Sequence, residues 1–288
     1  ANISIEIFTS PTAPTSAAVS AVSYTGFSAN WTTNGATSYL LDVATDASFT
    51  NLVSGFNALN VGNVNTYSVT GLNAGNSYFY RVRGVTGSCI SANSTSQTVT
   101  TTSIASIASG NWNASSTWNS GTVPTCGDNI TIASTHNVTV NSSSNVSKNL
   151  TIASGGTLTV SSGDLTVGCT LNNTPLTNNG TLTVSGGTLN VNGNVNNANA
   201  SFFNQSGGTI NVDGNAGGVI ANSVASGTNI FGFGTSGTGA TLNLTGGNIV
   251  ILDPHVASSA AGGTSNGHSF AYWGNGYRAG INLSLIHI

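Results

Sequence analysis

The line Thr181-Leu-Thr-Val-Ser-Gly-Gly-Thr-Leu-Asn-Val191 matches the line from Thr157 to Val167 at eight of eleven positions, 24 residues earlier. A chain that writes one short line again at a near-constant offset is stacking one structural unit on the next. Aligning the Gly-Gly-Thr signatures extends the series: "ASGGTLTV" ends at Val160, "VSGGTLNV" at Val191 and "QSGGTINV" at Val212. "TLNLTGGNIVI", ending at Ile251, is a later relative, 39 residues after Val212, which reads as two steps of the 21-residue interval between Val191 and Val212. Each unit holds about three short runs in which apolar positions alternate with Thr, Ser or Asn, and alternation at period two marks strands.

Two architectures produce such a period. In a right-handed parallel β-helix the three runs are three strands of one coil. Coils then stack at the roughly 4.8 Å spacing of paired strands. Inward Leu, Ile and Val meet like residues, and outward Thr and Asn form ladders along the axis. Charged side chains held one strand apart would repel one another, so a stacked coil favours uncharged columns. In the rival architecture each "LTVSGGTLNV" is a β-hairpin turning at Gly-Gly. The third run in each unit favours the β-helix. Here Leu158, Leu182 and Leu242 are expected to point inward, with Val160, Val184 and Leu244 beside them.

Charge is scarce throughout. Only 4% of the 288 residues are charged, against about 25% in an ordinary globular chain. The four basic residues are Arg81, Arg83, Lys148 and Arg278, and the net charge is −3. That excludes a basic nucleic-acid footprint and a polybasic membrane patch. No apolar run is long enough to span a bilayer.

Residues 12–102 alternate differently, as Phe27/Ala29/Trp31, Tyr39/Leu41/Val43 and Tyr78/Tyr80/Val82. They are separated by turn signals at Asn34-Gly35, Gly62-Asn63 and Asn73-Ala74-Gly75, which points to an all-β sandwich. In "TGLNAGNSYFYRVRGV", Leu72, Gly75, Tyr78, Tyr80 and Val82 resemble the corner and following strand of a fibronectin type III domain, and Trp31 sits where that family keeps its core tryptophan. The resemblance implies a seven-stranded sandwich without a disulfide. The Arg-Gly-Asp loop through which the family is best known to bind is absent, so a spacer is expected. Arg81 and Arg83, two apart, are expected on a solvated outer strand face.

A Ser/Ala stretch at 103–110 reads as a linker. After it, Trp112, Trp118, Gly121, Pro124 and Asp128, followed by the pairs Ile130/Ile132 and Val138/Val140, resemble the opening segment of parallel β-helix modules in surface proteins of Bacteroidetes. The expected division is 1–11 as the end of a preceding segment, 12–102 as the sandwich and 111–282 as a β-helix whose C-terminal end is incomplete. Residues 283–288 resemble the translation of a sequencing adapter. The chain starts without Met or a signal sequence and reads as a fragment or a processed product.

Cys126 and Cys169 are the pair to test for a disulfide, with Cys89 left over; three free thiols are the alternative. The setting expected is extracellular or on the outer cell surface, where a disulfide persists. Polysaccharide lyases and hydrolases built on β-helices need clustered Asp with an Arg or Lys. Asp128, Asp164, Asp213 and Asp253 are scattered, with Asp164 in the column of Thr188 and Thr209 and Asp213 in that of Asn192. His136, His255 and His268 lack metal-ligand spacing. No cofactor, no metal and no catalytic activity are expected.

Phe231, Phe233, Tyr272, Trp273 and Tyr277 gather near the C-terminal end. They read either as packing for the end of the stack or as stacking platforms for sugar rings. The function expected is that of an adhesin-like structural stalk, resembling secreted surface proteins of that phylum, with surface glycans or another cell-surface protein as partner. The alternative is a β-helix polysaccharide-active enzyme or its carbohydrate-binding appendage.

Overall fold

The computed structural model describes residues 10–169, 176–193, 195–198, 200–213, 231–233, 240–252 and 271–272. They are all-β apart from a single 3-10 turn at Ser115–Thr117. The chain divides into two units, 1–103 and 104–288.

The first unit contains β1 (Thr15–Ser20), β2 (Phe27–Thr32), β3 (Ser38–Ala44), β4 (Leu59–Gly62), β5 (Thr66–Val69), β6 (Ser77–Thr86), β7 (Cys89–Ile90) and β8 (Gln97–Thr100). One antiparallel sheet runs β1-β2-β5; the other runs β4-β3-β6-β7, with β8 also paired to β6. This is the strand order of a fibronectin type III sandwich. The alternating faces read from the sequence form its core, with Phe27, Ala29, Trp31, Tyr39, Leu41, Val43, Tyr78, Tyr80 and Val82 all buried. Two tyrosines fix the sheets to each other and to the corner. The Tyr78 hydroxyl accepts from Asn73 N at 3.0 Å, the tyrosine corner of such sandwiches. The Tyr80 hydroxyl reaches from β6 to the opposite sheet and lies 2.6 Å from the Ala17 carbonyl and 2.9 Å from that of Asn30.

The second unit is a parallel β-solenoid. Its strands are β9 (Ile104–Ala105), β10 (Gly110–Asn111), β11 (Asn129–Ile132), β12 (Asn137–Val140), β13 (Asn145–Ser147), β14 (Asn149–Ile152), β15 (Thr157–Val160), β16 (Asp164–Val167), β17 (Leu176–Asn178), β18 (Thr181–Val184), β19 (Thr188–Val191), β20 (Val195–Asn197), β21 (Phe202–Asp213), β22 (Phe231–Phe233), β23 (Thr241–Leu252) and β24 (Ala271–Tyr272). They make about four complete coils with three faces. The first face runs β9-β11-β14-β17-β20-β22-β24; the second runs β10-β12-β15-β18 to the first half of β21; the third runs β13-β16-β19 to the second half of β21. Every pairing between these strands is parallel, and β18 and β19, which flank Gly186-Gly187, each pair with β21 rather than with each other. The hairpin ladder is therefore excluded.

Interior columns follow the repeat. Leu158 pairs with Leu182, Leu182 with Phe203 and Phe203 with Leu242; the first three are fully buried and Leu242 is half-buried. At the Ser-Gly-Gly corners before β19 and within β21 the second glycine takes positive φ, 65° at Gly187 and 67° at Gly208; the signature ending at Val160 lies at a different corner, since Val160 pairs with Val184, and there the first glycine, Gly155, takes it (78°). At the corners of Gly187 and Gly208 the first glycine is needed for a different reason. A Cβ on Gly186 would collide with the Ser161 carbonyl oxygen of the coil beneath, and one on Gly246 would lie 2.7 Å from that of Ser206. The Gly-Gly signature thus records how closely successive backbones stack.

Two expectations are corrected. The 39-residue interval is one step, not two: Val212 pairs directly with Ile251 and Phe202 with Thr241. Residues 103–110 are not a linker, because Ile104 and Ala105 pair with Ile130 and Thr131 and Gly110 pairs with Val138. These strands of two residues give the solenoid its first edge. Trp112 and Trp118 are buried on that first coil, edge to face at 5.1 Å, with Trp118 Nε1 donating to the Trp112 carbonyl at 2.8 Å. The expectations for 1–9, 253–270 and 273–288 lie outside the described residues.

Candidate functional site

The outward side chains of the solenoid form hydrogen-bonded ladders. On the second face Thr159 Oγ1 donates to Asn137 Oδ1 at 3.2 Å, Asn204 Nδ2 to Thr183 Oγ1 at 3.4 Å and Asn243 Nδ2 to Asn204 Oδ1 at 2.7 Å. On the third face Asn211 Nδ2 donates to Asn190 Oδ1 at 2.8 Å. On the first, Asn149 Nδ2 donates to Asn129 Oδ1 at 2.9 Å. Asn204 and Asn243 keep donor and acceptor capacity after these bonds. The ladders therefore fix the orientation of a surface that still has hydrogen bonds to give.

The second face differs from the others in one respect. Phe202 stands in the column of Thr181 and Thr241, and 47% of it is exposed. Its neighbour Phe203 is fully buried. The alternation that sends Leu182 inward sends Phe203 inward and Phe202 outward. That signal is present in the sequence, although two adjacent aromatics mask it.

Polar groups also enter the interior. Asn178 and Asn197 occupy the column that holds Ile132 and Ile152 in earlier coils, and Gln205 follows Val160 and Val184. All three are buried. Asn178 Nδ2 donates to Asn197 Oδ1 and to the Phe202 carbonyl, each at 3.0 Å, and Gln205 Nε2 donates to the Asn248 carbonyl at 3.0 Å. Sequence reasoning assigned Asn to outer ladders and missed these.

Cys126 and Cys169 are joined by a disulfide with a Cα–Cα distance of 5.4 Å. It ties the loop before β11 to the end of β16. Backbone bonds from Lys148 N to the Asp128 carbonyl (2.9 Å) and from Gly168 N to the Ser147 carbonyl (3.0 Å) stack the corners that it spans. Cys89 lies on β7 of the sandwich, outside that bond.

Asp128 is buried, and its Oδ2 accepts from Thr125 N at 2.8 Å and Thr125 Oγ1 at 2.6 Å. Asp164 pairs in register with Thr188, and Thr188 with Thr209. Asp213 pairs by backbone with Leu252. His136 Nδ1 lies 3.0 Å from Ser106 Oγ. Among the described residues no group of three His, Cys, Asp or Glu could hold a metal.

In the sandwich, Arg81 and Arg83 share the outer face of β6, but they are not simply solvated. Both reach the buried Asp42 on β3, with Arg81 Nε 3.0 Å and Arg83 Nη2 3.3 Å from Oδ2. The Arg81 guanidinium also lies 4.1 Å over the Phe49 ring. The Asp42 carboxylate, which the sequence reading passed over, is what draws them in.

Of the C-terminal aromatics, the backbones of Phe231 and Phe233 lie in β22 and that of Tyr272 in β24. Register places Phe231 beside Val195, Phe233 beside Asn197 and Tyr272 beside Phe233. Val195 and Asn197 are interior positions. Trp273 and Tyr277 lie outside the described residues.

The family model of the G8 domain matches residues 117–191, from the 3-10 turn through β19. No curated protein sequence matches the chain. Among solved structures the chain is similar to a fibronectin type-III domain of human fibronectin type III domain containing protein 3, at 20% identity over 34% of this chain and 91% of that one, with a TM-score of 0.27. It is similar to the 6th such domain of the same protein, at 20% identity over 35% and 92%, with a TM-score of 0.25. For a structure of domains from titin the identity is 24%, the coverage 32% of each chain and the TM-score 0.27. The chain is a modular all-β protein. More particularly, it is a fibronectin type III-like sandwich followed by a parallel β-solenoid, and the G8 match falls within the solenoid. No helix among the described residues is long and apolar enough to cross a membrane.

Proposed function

We propose that the protein is a non-enzymatic, adhesin-like attachment and display module of an extracellular or outer cell surface. The sandwich acts as a spacer and the solenoid as the stalk that presents a contact surface. The observation that carries this reading is the uncharged outer ladder repeated from coil to coil, such as Asn243 on Asn204 and Asn204 on Thr183. It is a repeated array with unused hydrogen-bonding capacity at Asn204 and Asn243, and among the described residues it carries no metal-binding cluster. The engagement of Asp42 by two arginines and of Asp128 by Thr125 supports a structural use of carboxylates. A disulfide and the pairing of sandwich-type and G8-type domains suit an extracellular setting.

Cells displaying the whole chain, washed over surfaces coated with glycans or cell-surface proteins, test the reading. Retention above cells without the chain, with the coating recovered intact, supports attachment. Release of new reducing ends from a polysaccharide coating would support the polysaccharide-active enzyme instead. Absence of retention on every coating would contradict the proposal.

A further inference from the structure

We infer that the second face of the solenoid binds a neutral polysaccharide chain, with Phe202 as its stacking platform; the inference rests on the attachment reading above. The strands of this face are parallel. Four of them, β15, β18, β21 and β23, span roughly 14 Å at one strand spacing per coil. Their outward positions are Thr157 and Thr159, Thr181 and Thr183, Phe202 and Asn204, Thr241 and Asn243. None is charged.

An exposed Phe ring in such a setting costs hydration. Little apolar surface surrounds it, because its column neighbours are Thr181 and Thr241. The chemistry that fits it has an apolar face and a hydroxylated rim, as a pyranose ring does. The ring face of the sugar covers Phe202 while its hydroxyls meet the groups alongside. Those groups are oriented in advance. Asn204 Oδ1 accepts from Asn243 and Asn204 Nδ2 donates to Thr183, which holds the Asn204 amide plane between two partners. Each amide nitrogen still has a second hydrogen and each amide oxygen a second lone pair. A sugar hydroxyl both donates and accepts, so it can use either.

The absence of charge on these positions selects among glycans. A uronate or sulfated chain would lose hydration of its anionic groups on this face without meeting a cation in return. A neutral chain does not incur that cost. The other two faces carry similar ladders, and among the side chains described on them no aromatic is exposed.

Affinity electrophoresis of the whole chain tests this, in gels containing galactomannan, mixed-linkage β-glucan or polygalacturonate. The expected result is retardation by at least one of the two neutral polymers and none by polygalacturonate. Phe202→Ala should weaken the retardation at least tenfold. Phe202→Trp should preserve it, and so should Thr177→Ala on the first face. Because Phe202 is half exposed, its replacement should leave the melting temperature unchanged, so lost binding would report the surface. Equal retardation of Phe202→Ala and the unaltered chain would overturn the inference, as would binding to polygalacturonate alone or to none of the polymers. Self-association abolished by Phe202→Ala without glycan retardation would also overturn it, by assigning the face to a second copy. If displaying cells adhere and Phe202→Ala cells adhere equally, the site fails while attachment stands; if cells displaying the unaltered chain adhere to nothing, the attachment reading itself fails.

Discussion

Asn178 and Asn197 are fully buried inside the solenoid, with Asn178 Nδ2 donating to Asn197 Oδ1 at 3.0 Å. Asn178 also donates to the Phe202 carbonyl and accepts from Gly180 N at 3.1 Å. Its amide therefore ties the third coil strand set to the fourth and holds the corner before β18. Removing one member of a buried network strands the others. Asn178→Leu should cost about 2 kcal/mol, read as a lower urea midpoint with an unchanged slope. A midpoint equal to that of the unaltered protein would mean that the amides contribute nothing net.

This pair also marks where the sequence stops being readable. The 21-residue step was legible because Ser-Gly-Gly recurs where a Cβ would strike the coil beneath, and the 24-residue step because the Leu-Thr-Val-Ser lines repeat around Gly163 and Gly187. Alternation told inward from outward at Leu182 and Val184, since apolar residues there can only be core. It failed at Asn178, because an Asn in an interior column has the same composition as one in an outer ladder. Residues 103–110 were missed because strands of two residues have no period. The single 39-residue step was missed because parallel pairing fixes register across space, not the number of residues between partners. In the sandwich, Tyr78 and Tyr80 announced the fold, while the ion pairs of Arg81 and Arg83 depended on Asp42, some forty residues away.

The Cys126–Cys169 bond closes a loop of 43 residues. On the chain-entropy relation such a crosslink stabilises by about 4 kcal/mol. Replacing both cysteines by Ala should lower the solenoid's stability by that order, and reductant should then have no further effect on it. Equal melting of the oxidised and doubly substituted proteins would contradict the estimate.

Gly186 and Gly121 offer a paired comparison. Gly121 has φ 67° and open space around a Cβ, so Gly121→Ala meets only backbone strain, about 1–2 kcal/mol. Gly186 lacks positive φ but faces the Ser161 carbonyl, so Gly186→Ala must push two coils apart. Denaturant titration should show the larger loss at Gly186. The reverse order would mean that the corner is limited by dihedral angle rather than by stacking.

Asp46 contributes to the acid sensitivity of the sandwich. The hydroxyl of Ser48, the amides of Asn51 and Thr50 and the hydroxyl of Thr50 donate to its carboxylate and hold its pKa far below the usual range; Ser48 is the largest contributor. A carboxyl whose pKa is lower in the folded state lends stability above its unfolded pKa of about 4 and loses it as pH falls toward the folded value. The sandwich should therefore melt lower as pH drops from roughly 5 to 2, and Asp46→Asn should show a shallower drop. Asp46 is partly exposed, which makes the effect small, so the difference between the two slopes is the quantity to measure. Identical slopes would remove Asp46 from the account.

The stacking of coils is the claim on which the rest depends, and a crosslink tests it most directly. Thr159 and Thr183 are outward partners on adjacent parallel strands, 24 residues apart. Strand spacing falls within the Cα separation that a disulfide requires. Thr159→Cys combined with Thr183→Cys should oxidise to a crosslinked monomer. Thr183→Cys combined with Asn190→Cys, which a hairpin at Gly186-Gly187 would bring together, should stay open. Crosslinking of the second pair and not the first would contradict the solenoid.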